Sequence, residues 1–115
     1  MKLSHRTKNN ICIVSIGEKV LQENTEELGN YIFDLLQTKK PRGILINLGK
    51  AVELDSSGIG IIVSFFKTAQ KEQIGFAVCR LTGLVAKAFK VTLLDRILPV
   101  YEKETEALKA LGCIE

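Results

Sequence analysis

In the run Glu53-Leu54-Asp55-Ser56-Ser57-Gly58-Ile59-Gly60, an aspartate, two hydroxyls and two glycines stand directly ahead of an apolar stretch with helical spacing. Residues of these types can do different work at such a place. A helix has unpaired N–H groups in its first turn, and Asp55, Ser56 or Ser57 could accept hydrogen bonds from them. A serine could instead be a nucleophile, which needs a base within reach and a third group to orient that base. The only imidazole in the chain is His5, and no Gly-x-Ser-x-Gly elbow exists because both serines precede Gly58. A serine could also accept a phosphoryl group. Phosphate there would carry about −1.5 to −2 charge beside a helix end that attracts anions. Gly58 and Gly60 would leave the approach to the backbone unobstructed for a partner.

Other chemistry finds little support. One histidine and three dispersed cysteines supply no recognisable ligand set, so no metal site is assigned, and His5 reads as a surface residue on an edge strand. Gly58 and Gly60 begin like a dinucleotide-binding Gly-x-Gly-x-x-Gly. The third small position falls on Val63, however, and the following strand ends in Arg80 where an acid is needed, so no cofactor is expected.

The 115 residues fit one domain, 1–115, with 46% hydrophobic residues to build a core. A net charge of +3 comes from basic residues scattered along the chain, and tryptophan is absent, so a direct nucleic-acid interface is not expected. Cys12, Cys79 and Cys113 lack C-x-x-C spacing, and the first two lie in apolar runs. They read as small hydrophobes in a reducing compartment. The opening residues have no signal-peptide pattern and no run is long enough to cross a bilayer, so the expectation is a cytoplasmic protein without a membrane partner.

Elements able to position the serines follow from periodicity. Leu3, His5 and Thr7 alternate, Asn9 and Asn10 tolerate positive φ, and Ile11–Ile16 reads as a second strand closed by Gly17: a hairpin. Leu28, Tyr31, Ile32, Leu35 and Leu36 mark an amphipathic helix capped by Asn24 or Thr25, with acids in its first turn and lysines in its last. Gly43–Leu48 is nearly continuous in apolar residues, as a strand buried on both sides should be, and a loop leads from it to Asp55. Ile59, Ile62, Val63, Phe66 and Ala69 form a second helical stripe from Ser57 to about Glu72. Then come a strand at Gly75–Cys79, a helix capped by Thr82, a short extended piece at Pro99–Tyr101 and a last helix. This alternation predicts an α/β fold: a mixed, mostly parallel sheet with an N-terminal hairpin edge, covered by about four helices. Periodicity leaves open whether they cover one face or both.

Taken together, the strand, the Asp-Ser-Ser-Gly-Ile-Gly turn, its helix, Gly75–Cys79, the short helix with Leu93-Leu94-Asp95-Arg96-Ile97 and the terminal Thr105-Glu106-Ala107-Leu108 resemble a STAS domain, specifically the bacterial anti-sigma factor antagonists. The likeness covers nearly the whole chain and is strongest from Ile44 to Leu108. It implies a STAS-like fold and a protein that is no enzyme, switched by phosphorylation of the serine after the aspartate, here Ser56. Asp55, Ser57 and Gly58 would frame that serine in the partner-binding surface. The implied partners are an anti-sigma factor that is also a serine kinase, bound by the unmodified form so that a sigma factor is freed, and a serine phosphatase that resets the switch. The alternative is a STAS scaffold or sensory module within a larger signalling assembly. One departure stands out. The family often carries a Gly-x-Leu-Asp pattern after the second strand, whereas this chain has Gly17-Glu18-Lys19-Val20, which implies either a different partner or that Glu18 or Glu23 takes the place of that acid.

Overall fold

Asn9 and Asn10 both adopt positive φ, 49° and 62°, and so form the tight turn that joins β1 (Lys2–Lys8) to β2 (Ile11–Val20) in antiparallel register. In the computed structural model of the protein, which describes residues 1–112, this hairpin is one edge of a six-stranded sheet. The chain continues through a 3-10 turn (Gln22–Asn24), α1 (Thr25–Lys39), β3 (Gly43–Asn47), β4 (Ala51–Leu54), α2 (Ser56–Lys71), β5 (Gly75–Cys79), α3 (Gly83–Val91), α4 (Leu94–Ile97), β6 (Val100–Tyr101) and α5 (Glu104–Ala110). The strand order is β1-β2-β3-β5-β6, with every pair after the hairpin parallel, and β4 pairs β2 beside that path. The fold is therefore the expected α/β architecture, with five helices among the described residues where about four were expected.

Both faces of the sheet are covered, unequally. Cys12, Val14, Ile16, Ile44, Ile46, Phe76 and Val78 point into a core completed by Leu28 and Ile32 of α1, Ile62 and Phe65 of α2, and Val85 and Phe89 of α3. On the other face Ile11, Ile13, Leu45, Ala77 and Cys79 pack with Ala107 and Leu108 of α5, and the partly buried Tyr101 and Leu111 pack against them. A central strand buried from both sides has no need of alternation, which is why β3 is apolar from Ile44 to Ile46 without a break. Cys12 and Cys79 are fully buried free thiols, one in each core. Cys113 lies outside the described residues.

Two expectations need correction at one place. Gly17 does not close the second strand, and the segment before Asp55 is not all loop. β2 runs on to Val20 through a bulge at Glu18, whose φ is 67°, and this tail pairs in parallel with β4. Glu18 donates its backbone N–H to the Lys50 carbonyl at 3.0 Å. The bulge breaks the inside–outside alternation that would have extended the strand by eye. Thr82 occupies the position before α3 as expected, yet its side chain makes no capping hydrogen bond.

Candidate functional site

The β2 tail and β4 end side by side, and their ends set the entrance of α2. Val20 pairs with Leu54, and Asp55 then donates its backbone N–H to the Val20 carbonyl at 3.3 Å. Asp55 is extended (φ −94°, ψ −177°), the usual conformation of an N-cap residue. Its Oδ1 accepts from the Gly58 N–H at 2.8 Å, capping α2, while its Oδ2 accepts from the Gln22 N–H at 3.0 Å. One carboxylate therefore closes a helix end and also ties down the turn that follows β2. That turn is organised further by Asn24, whose side-chain oxygen accepts from the Leu21 N–H at 3.1 Å, and by the Thr25 hydroxyl, which donates to the Gln22 carbonyl at 2.9 Å.

Of the three candidate caps, then, Asp55 alone does the capping. Ser56 begins the helix with its side chain exposed, and its hydroxyl makes no hydrogen bond to any described residue. Ser57, next in the first turn, is half-buried. Gly58 is buried and does not present an open approach. A Cβ built there would lie 2.3 Å from the Val20 carbonyl oxygen and 2.6 Å from Leu54 Cδ1. The backbone of α2 thus rests directly on the end of β2, and glycine is what allows it. Gly60 is the open one, exposed and with nothing within 4 Å of its would-be Cβ.

Beside Asp55 lies a concavity of about 680 Å³ lined by Leu21, Gln22, Glu23, Thr25, Glu26 and Asp55. Every charged group in that lining is acidic. The structure thus brings Glu23 together with Asp55, and does not place Glu18 with them. Glu18 lines a separate concavity between the hairpin and Lys50, where its carboxylate is 3.7 Å from Lys2 Nζ. Sequence reasoning missed Leu21, Gln22 and Glu26 as parts of this surface. No motif marks them, because only the long-range pairing of β2 with β4 brings their turn beside Asp55.

A nucleophile's machinery is not assembled around the serines. The ring of His5 is hydrogen-bonded to the Tyr31 hydroxyl (2.6 Å) and packs edge-on against that ring, tying β1 to α1. Burial pushes the Cys79 thiol up to about 11, with the Glu104 carboxylate adding to the shift and Arg80 and Arg6 opposing it. Burial likewise raises the Cys12 thiol. Neither is poised as a thiolate. Among the described residues no group of histidine, cysteine and acidic side chains is arranged to hold a metal, and no helix is long and apolar enough to cross a membrane.

Comparison with known proteins agrees with this architecture. An anti-sigma F factor antagonist from Paenibacillus polymyxa is 24% identical to this chain over 104 residues, covering 90% of this chain and 89% of its own. The crystal structure of an anti-sigma factor antagonist from Mycobacterium paratuberculosis superposes with a TM-score of 0.87 at 22% identity, covering 96% of this chain and 93% of that one. The anti-sigma factor antagonist SpoIIAA in its unphosphorylated form superposes with a TM-score of 0.75 at 12% identity, covering 98% and 100%. The family model of the STAS domain matches residues 2–107, and with the sheet order and the capped helix entrance now described, the chain belongs to the STAS domain family.

Proposed function

We propose that this chain is an anti-sigma factor antagonist, a cytoplasmic binding module without turnover of its own, switched by phosphate on Ser56. Unmodified, the surface around Asp55, Ser56 and Ser57 binds an anti-sigma factor that is also a serine kinase, and a sigma factor is thereby freed. Transfer of phosphate from ATP to the Ser56 hydroxyl ends the association, and a serine phosphatase restores it.

One observation carries this reading: Asp55 performs the capping, and the adjacent Ser56 hydroxyl is exposed and hydrogen-bonded to no described residue. A serine needed as a cap would have to give up its backbone bond to be modified. Ser56 has none to give up. The electrostatics favour a switch that acts on docking more than on folding. A phosphate at the first turn gains about 0.3–1 kcal/mol from the helix end. The neighbouring Asp55 carboxylate offsets part of that gain by like-charge repulsion. In a complex the balance shifts. A partner fitted to a neutral hydroxyl would have to desolvate a dianion, and about 1.4 kcal/mol of mismatch already costs tenfold in affinity. The acidic concavity lined by Asp55, Glu23 and Glu26 suits a partner that presents a lysine or arginine there. Support also comes from the relative named an anti-sigma F factor antagonist and from the similar SpoIIAA structure, described as unphosphorylated.

Incubation with the host's serine kinases and ATP, followed by peptide mass mapping, tests the assignment. Phosphate on Ser56, and none on a Ser56→Ala variant, is the expected result. Phosphate on another residue with Ser56 untouched would overturn it.

A further inference from the structure

On the face of the sheet that α5 covers, the cover stops short of the carboxyl ends of the parallel strands. Ser4, Ser15, Asn47 and Cys79 stand opposite one another across β1, β2, β3 and β5, and of these only Cys79 is fully buried. Two residues further along β2, Gly17 faces Lys2. A Cβ at Gly17 would lie 3.5 Å from Lys50 Cβ and 3.7 Å from Lys2 Cβ, so this glycine is a floor between two lysine stems. A concavity of about 550 Å³ opens there, with Ser4, Ser15 and Glu18 also in its wall. In open α/β sheets, the carboxyl ends of the strands are where ligands are held.

Nothing in the packing calls for an arginine at position 80. Arg80 follows β5 with φ 62°, a left-handed conformation that arginine rarely adopts, and its backbone N–H is held by the Tyr101 carbonyl at 3.2 Å. Its side chain lies across Gly49, on the same face as Asn47. A Cβ at Gly49 would be 2.9 Å from Arg80 Nε, 3.2 Å from Arg80 Cζ and 3.1 Å from Asn47 Oδ1. The acids at this end already have cations. Glu18 lies 3.7 Å from both Lys2 Nζ and the amino terminus, and Glu104 pairs with Arg6 and accepts from Asn47 Nδ2 at 2.8 Å. Arg80 and Lys50 are exposed, and neither side chain forms an ion pair or a hydrogen bond with a described residue.

We propose that Arg80 and Lys50 form a binding site for a small molecule that carries a phosphoryl group. Two cations without counter-charges suit a dianion. The guanidinium offers parallel N–H donors to two of its oxygens, and the lysine adds a point charge. The hydroxyls of Ser4 and Ser15 supply further donors along the concavity. Its lining holds no aromatic ring on which a base could stack, so recognition goes through the phosphoryl oxygens and not a nucleobase. The site lies across the sheet from α2, whose Ile62 and Phe65 pack in the other core, and it does not depend on the reading of Ser56.

Inorganic pyrophosphate is the probe, titrated into the whole protein at fixed ionic strength, with affinities measured by calorimetry. Wild type should bind one equivalent. Asparagine enters the left-handed region readily, so Arg80→Asn should melt no lower than wild type and yet bind about tenfold more weakly. Lys50→Gln should weaken binding by a similar factor. Gly49→Ala keeps every charge but pushes the guanidinium aside, and it too should bind more weakly. Lys67→Gln, on α2 across the sheet, loses one charge as Lys50→Gln does and should bind like wild type. Absence of saturable binding to wild type at millimolar pyrophosphate would overturn the site, as would equal weakening in Lys67→Gln or full affinity in Arg80→Asn. Binding confined to a phosphoserine peptide or to phosphatidic acid vesicles, with pyrophosphate inert, would overturn the small-molecule assignment.

Discussion

Gly58 and Gly60 sit two residues apart in the same helix, and adding one methyl group to each should have opposite effects. At Gly60 the new Cβ meets nothing within 4 Å, so alanine simply replaces a flexible residue in a helix. That is worth about 0.5–1 kcal/mol in favour of the fold. At Gly58 the same gain is available, but the Cβ falls 2.3 Å from the Val20 carbonyl oxygen and 2.6 Å from Leu54 Cδ1. Leucine can rotate away. A carbonyl that accepts from the Asp55 N–H at 3.3 Å cannot move without loosening the turn beside it, so α2 must lift off the end of β2. Overpacking of this kind costs roughly 1–3 kcal/mol, and losing the Asp55 cap as the helix moves adds about 1 kcal/mol. Net of the helix gain, Gly58→Ala should destabilise by about 2 kcal/mol, a fall of roughly 8 °C in Tm for a chain of this size. Gly60→Ala should rise by a few degrees. Thermal melts followed by circular dichroism measure both. Equal shifts, or a stabilised Gly58→Ala, would refute the claim that a backbone-to-backbone contact sets the helix entrance.

Asp55→Ala should cost about 2–3 kcal/mol in urea titrations, because it removes both the cap on Gly58 and the tie to Gln22; Asn at that position should recover part of the loss. Ser56→Ala, by contrast, should stay within about 0.5 kcal/mol of wild type, since its hydroxyl is hydrogen-bonded to no described residue. Cys79 supplies a pH test. With its thiol at about 11 in the fold against 9.0 for an unhindered thiol, the unfolded chain loses its proton first, so the stability this thiol contributes is present below pH 9 and lost as pH rises towards 11. The stability gap between wild type and Cys79→Ala should therefore narrow by roughly 2 kcal/mol between about pH 8 and about pH 11; an unchanged gap would count against it.

Local signals in this chain were legible where one element carries its own mark. Asn9 and Asn10 announce the hairpin turn they make, the apolar run of β3 matches its burial on both sides, and the stripe of α2 catches the buried Ile62 and Ala69, although it takes the half-buried Phe66 where Phe65 is the buried ring. What stayed hidden depends on contacts between distant segments. β4 is four residues long and its partner, the β2 tail, lies beyond a bulge, so neither half carries a period of its own. Asp55, Ser56 and Ser57 are all good caps by residue type, and only the positions of the Gly58 and Gln22 N–H groups select the aspartate. Spacing could not tell Gly58 from Gly60 either, because the difference between them is the Val20 carbonyl. The choice of face for each helix was equally closed to periodicity, since strands buried from both sides show no inside and outside.

The central claim is that one unencumbered hydroxyl at the start of α2 governs association. Calorimetric titration of the Ser56 kinase with two forms of this protein, one unmodified and one stoichiometrically phosphorylated at Ser56, tests it most directly. Affinity lower by a hundredfold or so in the phosphorylated form, about 2.7 kcal/mol, with an unchanged melting temperature, is the predicted result. Equal affinity of the two forms would contradict it.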